Sequence, residues 1–159
     1  MSKSLTRVKS ILAASGVEPR IIGTPASTRT AAEAAAAAGV ALDQIVKSIL
    51  FQDDAGRLYL FLTAGGNLVD GAKASALAGQ ILSRADAAAV RAITGFAIGG
   101  VAPLGHLTQL PLWMDPRLME FAEVWAAAGT PNHIFAMDPR ILCDLTGAAL
   151  ADFTLRAVS

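Results

Sequence analysis

The sequence predicts an α+β fold: a single compact domain spanning residues 1–159, with a mixed, mostly antiparallel sheet surrounded by helices. Three observations carry this. Capped helical segments and apolar, β-branched segments alternate without the regular βαβα rhythm of a parallel sheet. Asp53-Asp54-Ala55-Gly56 joins two apolar runs as a hairpin turn. Finally, 159 residues with 53% hydrophobic and 16% charged side chains suffice for one core and exclude disorder.

The elements follow in order. Leu5, Val8, Ile11 and Leu12 share one helical face, opposite Lys3, Arg7 and Ser10, so a first helix is expected from about Ser4 to Ala14. Its apolar segment is too short for a signal peptide. A short strand follows near Arg20–Gly23, then a polar loop from Thr24 to Arg29. Thr30 and Glu33 form a capping box that opens an alanine-rich helix, closed by Gly39. Gln44–Phe51 and Arg57–Thr63 are strands of the hairpin. Both are apolar almost throughout, which places them centrally in the sheet. Gly65-Gly66-Asn67 breaks the second strand. Asp70 caps a helix to about Ala78, and Asp86 sits in the first turn of another, to about Ile93.

Gly95–Gly105 is too rich in glycine for an element interior and is expected to be a shaped loop. Pro111–Met114 is a strand. Glu123–Ala128 and His133–Met137 flank Gly129-Thr130-Pro131-Asn132 as a second hairpin, and Asp138-Pro139 starts a last helix that ends before Gly147.

Composition excludes several functions. Lys+Arg and Asp+Glu are each 13, so no net basic excess drives general nucleic-acid binding, and an RNA partner would be held locally or by one end. No apolar run approaches 18 residues, so no membrane span is expected, and a cytoplasmic protein is the default. The one cysteine, Cys143, permits no internal disulfide and no multi-cysteine zinc site, and is expected to be an inert thiol. His106 and His133 are the only histidines, too few for a metal centre without cysteines beside them; no metal and no cofactor is expected.

Two features can carry chemistry. Lys47 is a cation inside the apolar run Ile45–Phe51. It either snorkels to water at a sheet edge or points into a cleft, where its ammonium binds a phosphate or a carbonyl oxygen. The loop Gly99-Gly100-Val101-Ala102-Pro103-Leu104-Gly105 is either a tight connection or a set of main-chain groups aimed at an anion or a polarised carbonyl. It is neither a P-loop nor a dinucleotide fingerprint. No Gly-x-Ser-x-Gly elbow supports a serine triad. Ser27 and Thr28 precede the cap Thr30 and are free to contact a ligand or to solvate their loop.

Ser27–Val40 and Gln44–Phe51, followed by Asn67–Asp70, Gly99–Gly105 and Ala128–Asn132, together resemble the YbaK/ProX family of trans-editing domains, related to the editing insertion of bacterial prolyl-tRNA synthetases. The resemblance runs in order through nearly the whole chain. It implies hydrolysis of the ester joining a wrong, small amino acid to tRNA, mainly tRNA(Pro). It implies the acceptor 3′ end as the part held, prolyl-tRNA synthetase as a candidate partner, and a cytoplasmic setting without a membrane. It further implies that Lys47 holds the terminal adenosine through its phosphate. Gly99, Gly100 and Pro103, with Val101 and Ala102 between them, would offer main-chain groups to the ester. Thr28 and Thr30 would border the amino-acid pocket, together with the Gly129–His133 turn. His133 lies near where some relatives place a pocket histidine. Members acting on cysteinyl-tRNA(Pro) carry a serine where Ala127 stands, which sets this chain apart from them. Two other functions compete: a non-catalytic module that binds an RNA 3′ end or a synthetase complex, and a small-molecule-binding domain.

Overall fold

The computed structural model describes residues 2–18, 20–26, 28 and 30–155. Expectations placed on Ser27 and Arg29 lie outside the described residues. Among the described residues there are five α-helices: α1 (Lys3–Ala14), α2 (Ala31–Ala38), α3 (Gly71–Ala78), α4 (Ala87–Thr94) and α5 (Pro139–Thr146). The same described residues hold eight strands: β1 (Ile21–Gly23), β2 (Ile45–Gln52), β3 (Leu58–Ala64), β4 (Ser83–Arg84), β5 (Leu112–Met114), β6 (Val124–Ala127), β7 (His133–Met137) and β8 (Ala149–Leu150).

Local chemistry sets the helix ends. The Thr30 hydroxyl accepts the Glu33 N–H at 3.1 Å, and the carboxylates of Asp70, Asp86 and Asp138 accept amides of the first turns of α3, α4 and α5. Asp86 is thus the cap of α4 rather than a member of its first turn. α2, α3, α4 and α5 end on left-handed glycines, Gly39, Gly79, Gly95 and Gly147. In the β2–β3 turn, Asp53 accepts the N–H groups of Ala55 and Arg57 and the hydroxyl of Tyr59. These bonds outweigh the burial that opposes ionisation and hold the Asp53 carboxyl below its usual pKa.

The strands form one mixed sheet in the order β1-β7-β6-β2-β3-β5-β8, with β4 added to β2 off this path. The β2–β3 hairpin is central, as its apolar character predicts. β2 pairs antiparallel with β3 and β4, and β7 antiparallel with β1 and β6. The pairs β2–β6, β3–β5 and β5–β8 are parallel.

The hairpin is apolar on both faces because both faces are covered. On one face Val46, Leu50, Leu58, Leu60 and Leu62 pack with Leu5, Val8 and Leu12 of α1, Val90 of α4 and Leu142 of α5. The other face holds two separate patches. Ile45, Trp125, Ile134 and Ala136 lie with Ala34 and Ala35 of α2. Phe51, Tyr59 and Phe61 lie with Ala74 of α3 and with Phe153. Side chains alternate along β2, so Lys47 shares this second face with Ile45 and Ile49 and falls between the two patches. That break in the apolar cover is where the site opens.

Candidate active site

A cleft of about 600 Å³ opens beside β2. Its volume lies in the range of sites that bury small molecules. One wall is the β2 segment from Ile45 to Leu50. Thr28, Thr30, Ala31 and Ala34, before and along α2, form a second wall with Trp125 and Ala127 of β6. Ile98, Gly99 and Val101 close the third side with Thr130 and Pro131, and Arg84 and Ala85 stand at the end near β4. Lys47, Thr28, Thr30, Gly99 and Val101, separated by up to 73 positions in the chain, thus line a single space.

Lys47 is half-buried, and its ammonium donates to the main-chain carbonyl of Asn67. Burial lowers its pKa from the usual lysine value, while the charges of Asp115 and Asp43 pull it back up. Asp115 is only 3% exposed. One of its oxygens accepts the Ala64 N–H at 3.1 Å and the Asn67 side-chain amide at 2.9 Å; the other accepts the Arg117 N–H at 3.0 Å. Asp43 accepts the Gly66 N–H at 2.7 Å and pairs with the Arg117 guanidinium at 3.0 Å. The two carboxylates therefore pin the Gly65–Asn67 turn, and that turn supplies the lysine's partner. Neither role is visible in the sequence: Asp115 directly follows a strand, and only its position between β5 and the β3 turn reveals what it holds.

The Gly95–Gly105 loop is an irregular segment, as expected, and it is tied down at both ends. Arg7 of α1 donates to the carbonyl of Gly105 at 2.8 Å and to that of Thr94 at 3.2 Å. Inside the loop, His106 Nε2–H donates to the Ala102 carbonyl at 2.7 Å. Burial lowers the His106 pKa, with the Arg7 charge adding to the effect and the Ala102 bond opposing it.

The loop residues divide into two groups. Gly99 lines the cleft with φ of 90°, and Val101 lines it as well. Ala102 and Pro103 are buried behind the wall and do not line the cleft; Ala102 belongs to the core. Gly100 is also buried, and its lack of a side chain serves packing within the protein. A Cβ there would come within 2.6 Å of the Thr130 carbonyl carbon and 2.9 Å of Pro131 N. A side chain at Gly100 would therefore collide with the opposite turn.

That turn is also tied on its other side. Asn132 donates through its side chain to the Pro25 carbonyl at 2.8 Å, and its own carbonyl accepts the Thr24 N–H at 2.8 Å. Gly129 packs against the start of α1, where an added Cβ would lie 2.8 Å from the Ser4 carbonyl oxygen, so it does not line the cleft. Nor does His133. Its Nδ1 is hydrogen bonded to the Thr130 hydroxyl at 2.6 Å, so it reaches the cleft only through Thr130. Cys143 is half-buried, and burial raises its pKa, in keeping with an inert thiol. Among the described residues, no helix is long and apolar enough to cross a membrane.

A mixed sheet with a lysine-bearing cleft of this kind matches known proteins. The model of the aminoacyl-tRNA editing domain matches residues 25–145, and the chain belongs to that family. A candidate trans-editing enzyme for prolyl-tRNA synthetase, known from a crystal structure, is 46% identical and superposes with a TM-score of 0.91, covering 98% of this chain and 99% of the other. The crystal structure of the hypothetical protein APE2540 is 32% identical with a TM-score of 0.85, covering 94% and 99%. The uncharacterised protein YwhH of Bacillus subtilis (strain 168) is 29% identical over 120 residues, 76% of each chain.

Proposed function

We propose that this editing domain is a free-standing aminoacyl-tRNA deacylase that removes a small, wrongly attached amino acid from tRNA(Pro). The observation that carries the reading is the convergence of Lys47 and Gly99 on one cleft within an editing-domain fold. The likeness to the candidate prolyl-tRNA trans-editing enzyme points to the same substrate class.

An ester is already activated toward hydrolysis, so the protein needs to position it and to stabilise the developing oxyanion. A water oxygen bonds to the ester carbonyl carbon, and the bond from that carbon to the ribose oxygen breaks. The ribose oxygen takes up a proton from the water, leaving free amino acid and intact tRNA. Lys47 has three N–H donors and spends one on Asn67; the others serve the phosphate of the terminal adenosine. The Gly99 side of the loop offers main-chain groups to the ester. Ala127 and Val101 give the amino-acid end an apolar, narrow surround, and Thr28 and Thr30 border it. Prolyl-tRNA is spared because a rigid ring is excluded by shape.

Incubation with radiolabelled mischarged tRNA(Pro) species tests the reading. Alanyl- or 2-aminobutyryl-tRNA(Pro) is hydrolysed much faster than prolyl-tRNA(Pro), with cysteinyl-tRNA(Pro) ranked below them. Binding of tRNA without release of any amino acid would leave a binding module instead. Equal rates for the prolyl and alanyl substrates would end the editing role.

A further inference from the structure

A strand inside a sheet has hydrogen-bonding neighbours on both sides, but β2 lacks one over part of its length. β3 pairs with it from Val46 to Gln52. On the opposite side β6 covers Ile45 and Val46, and β4 covers Phe51 and Gln52. Among the described residues no strand pairs with β2 between them, and the cleft occupies that gap.

Alternation along the strand fixes which main-chain groups face it. The Leu50 carbonyl accepts the Ala85 N–H at 3.2 Å, so Leu50 turns its main-chain groups away from β3. Ser48, two residues earlier on the same regular strand, turns the same way. The N–H and C=O of Ser48 therefore face the cleft with no strand opposite them. Main-chain polar groups in such a place demand a partner. The opening is also short. The end of β6 bounds it on one side and Ala85 on the other, and among the described residues Ser48 is the one in it whose main-chain donor and acceptor both face away from β3 with no strand paired to them.

We infer that the aminoacyl group of the substrate binds to Ser48 as a strand one residue long. An extended amino-acid residue points its nitrogen donor and its carbonyl oxygen to the same side, and two such residues face to face exchange both hydrogen bonds. The substrate's α-ammonium donates to the Ser48 carbonyl, and the Ser48 N–H donates to the ester carbonyl oxygen. The second bond strengthens as negative charge develops on that oxygen, so it contributes to the chemical step as well as to binding. Gly99 approaches from the facing wall. Recognition by strand addition is familiar for peptides; here the gap admits a single residue, which suits an aminoacyl ester. The inference rests on the deacylase reading and names the groups that orient its substrate.

The test compares alanyl-tRNA(Pro) with propionyl-tRNA(Pro), which differs only by loss of the α-amino group. Each enzymatic rate is divided by the spontaneous hydrolysis rate of the same ester, because the ammonium itself activates the ester. The expected result is a rate enhancement ~10-fold or more lower for the propionyl ester, the scale of a lost charge-assisted hydrogen bond. A second probe replaces Ser48 with the corresponding α-hydroxy acid, which removes the N–H and keeps the side chain. With folding checked by circular dichroism, kcat is expected to fall ~10-fold or more. Equal enhancements for the two esters, or full kcat in the backbone variant, would overturn the inference and leave the deacylase standing. Failure to hydrolyse alanyl-tRNA(Pro) and every other mischarged species would overturn both.

Discussion

The ammonium of Lys47 donates to the main-chain carbonyl of Asn67, and the side chain of the same asparagine donates to the buried carboxylate of Asp115. One turn residue thus connects the cleft's cation to the charge that stabilises it. Lys47→Ala is expected to give a folded protein whose deacylation rate falls ~10²-fold or more, the loss of a positioned substrate contact. A thermal melt and a single-turnover assay check this together. Near-normal turnover by the folded variant would remove Lys47 from the site.

Asp115 makes a different prediction. It is nearly inaccessible, and three amides donate to it. Asp115→Ala strips these donors of their partner and is expected to cost ~3 kcal/mol of stability. Activity should fall by more than the lost folded fraction, because the Asn67 turn loses its anchor and Lys47 its fixed partner. Chemical denaturation alongside the rate per folded molecule separates the two effects.

Neighbouring glycines should respond differently to alanine. At Gly100 the new Cβ meets the main chain of Thr130 and Pro131, which cannot swing aside as a side-chain tip can. An overpacked contact of this kind costs ~1–3 kcal/mol. At Gly99 the nearest atom to the new Cβ is Pro131 Cβ at 4.0 Å, so only the positive φ opposes it. Gly100→Ala should melt at the lower temperature, and its deacylation rate should drop as the loop moves from the Thr130 turn. The reverse order of melting would contradict the packing described.

His106 gives the fold a dependence on acidity. Its pKa is depressed by burial in the folded chain, so the unfolded chain takes up more protons as pH falls. Stability therefore rises with pH across this titration. It should be complete above the ordinary histidine value of about 6.5 and decline below it, down to the lower folded pKa. Unfolding midpoints measured across that range should slope less in His106→Asn than in the parent. Identical slopes would assign the acid sensitivity to other groups.

Particular residues show what the sequence could disclose. Thr30, Asp70 and Asp138 could be read as helix caps because the amides they satisfy are within four positions along the chain, whereas Asp86, expected inside the first turn of its helix, caps it through the same kind of local bond. Lys47 stood out because a cation in an apolar strand is a local anomaly. The two-residue strands Ser83–Arg84 and Ala149–Leu150 had no such signature, since they are exposed and exist only because β2 and β5 supply their partners. The glycine at 100 was legible, but its reason was not, because the obstructing main chain comes from residues thirty positions later. The open edge at Ser48 was equally hidden: it depends on where β6 stops and β4 begins.

The chain's two tryptophans occupy unlike surroundings, which gives the molecule an intrinsic optical reporter. Trp113 stacks on Phe61 at 5.0 Å in the aromatic patch under α3. Trp125 lines the cleft, and its indole N–H has no hydrogen-bond partner among the described residues. Occupancy of the cleft should therefore change the emission of one fluorophore while the other stays constant. In Trp113→Phe protein, a titration with a non-hydrolysable aminoacyl-adenosine analogue would follow binding from Trp125 alone, without any label on the RNA.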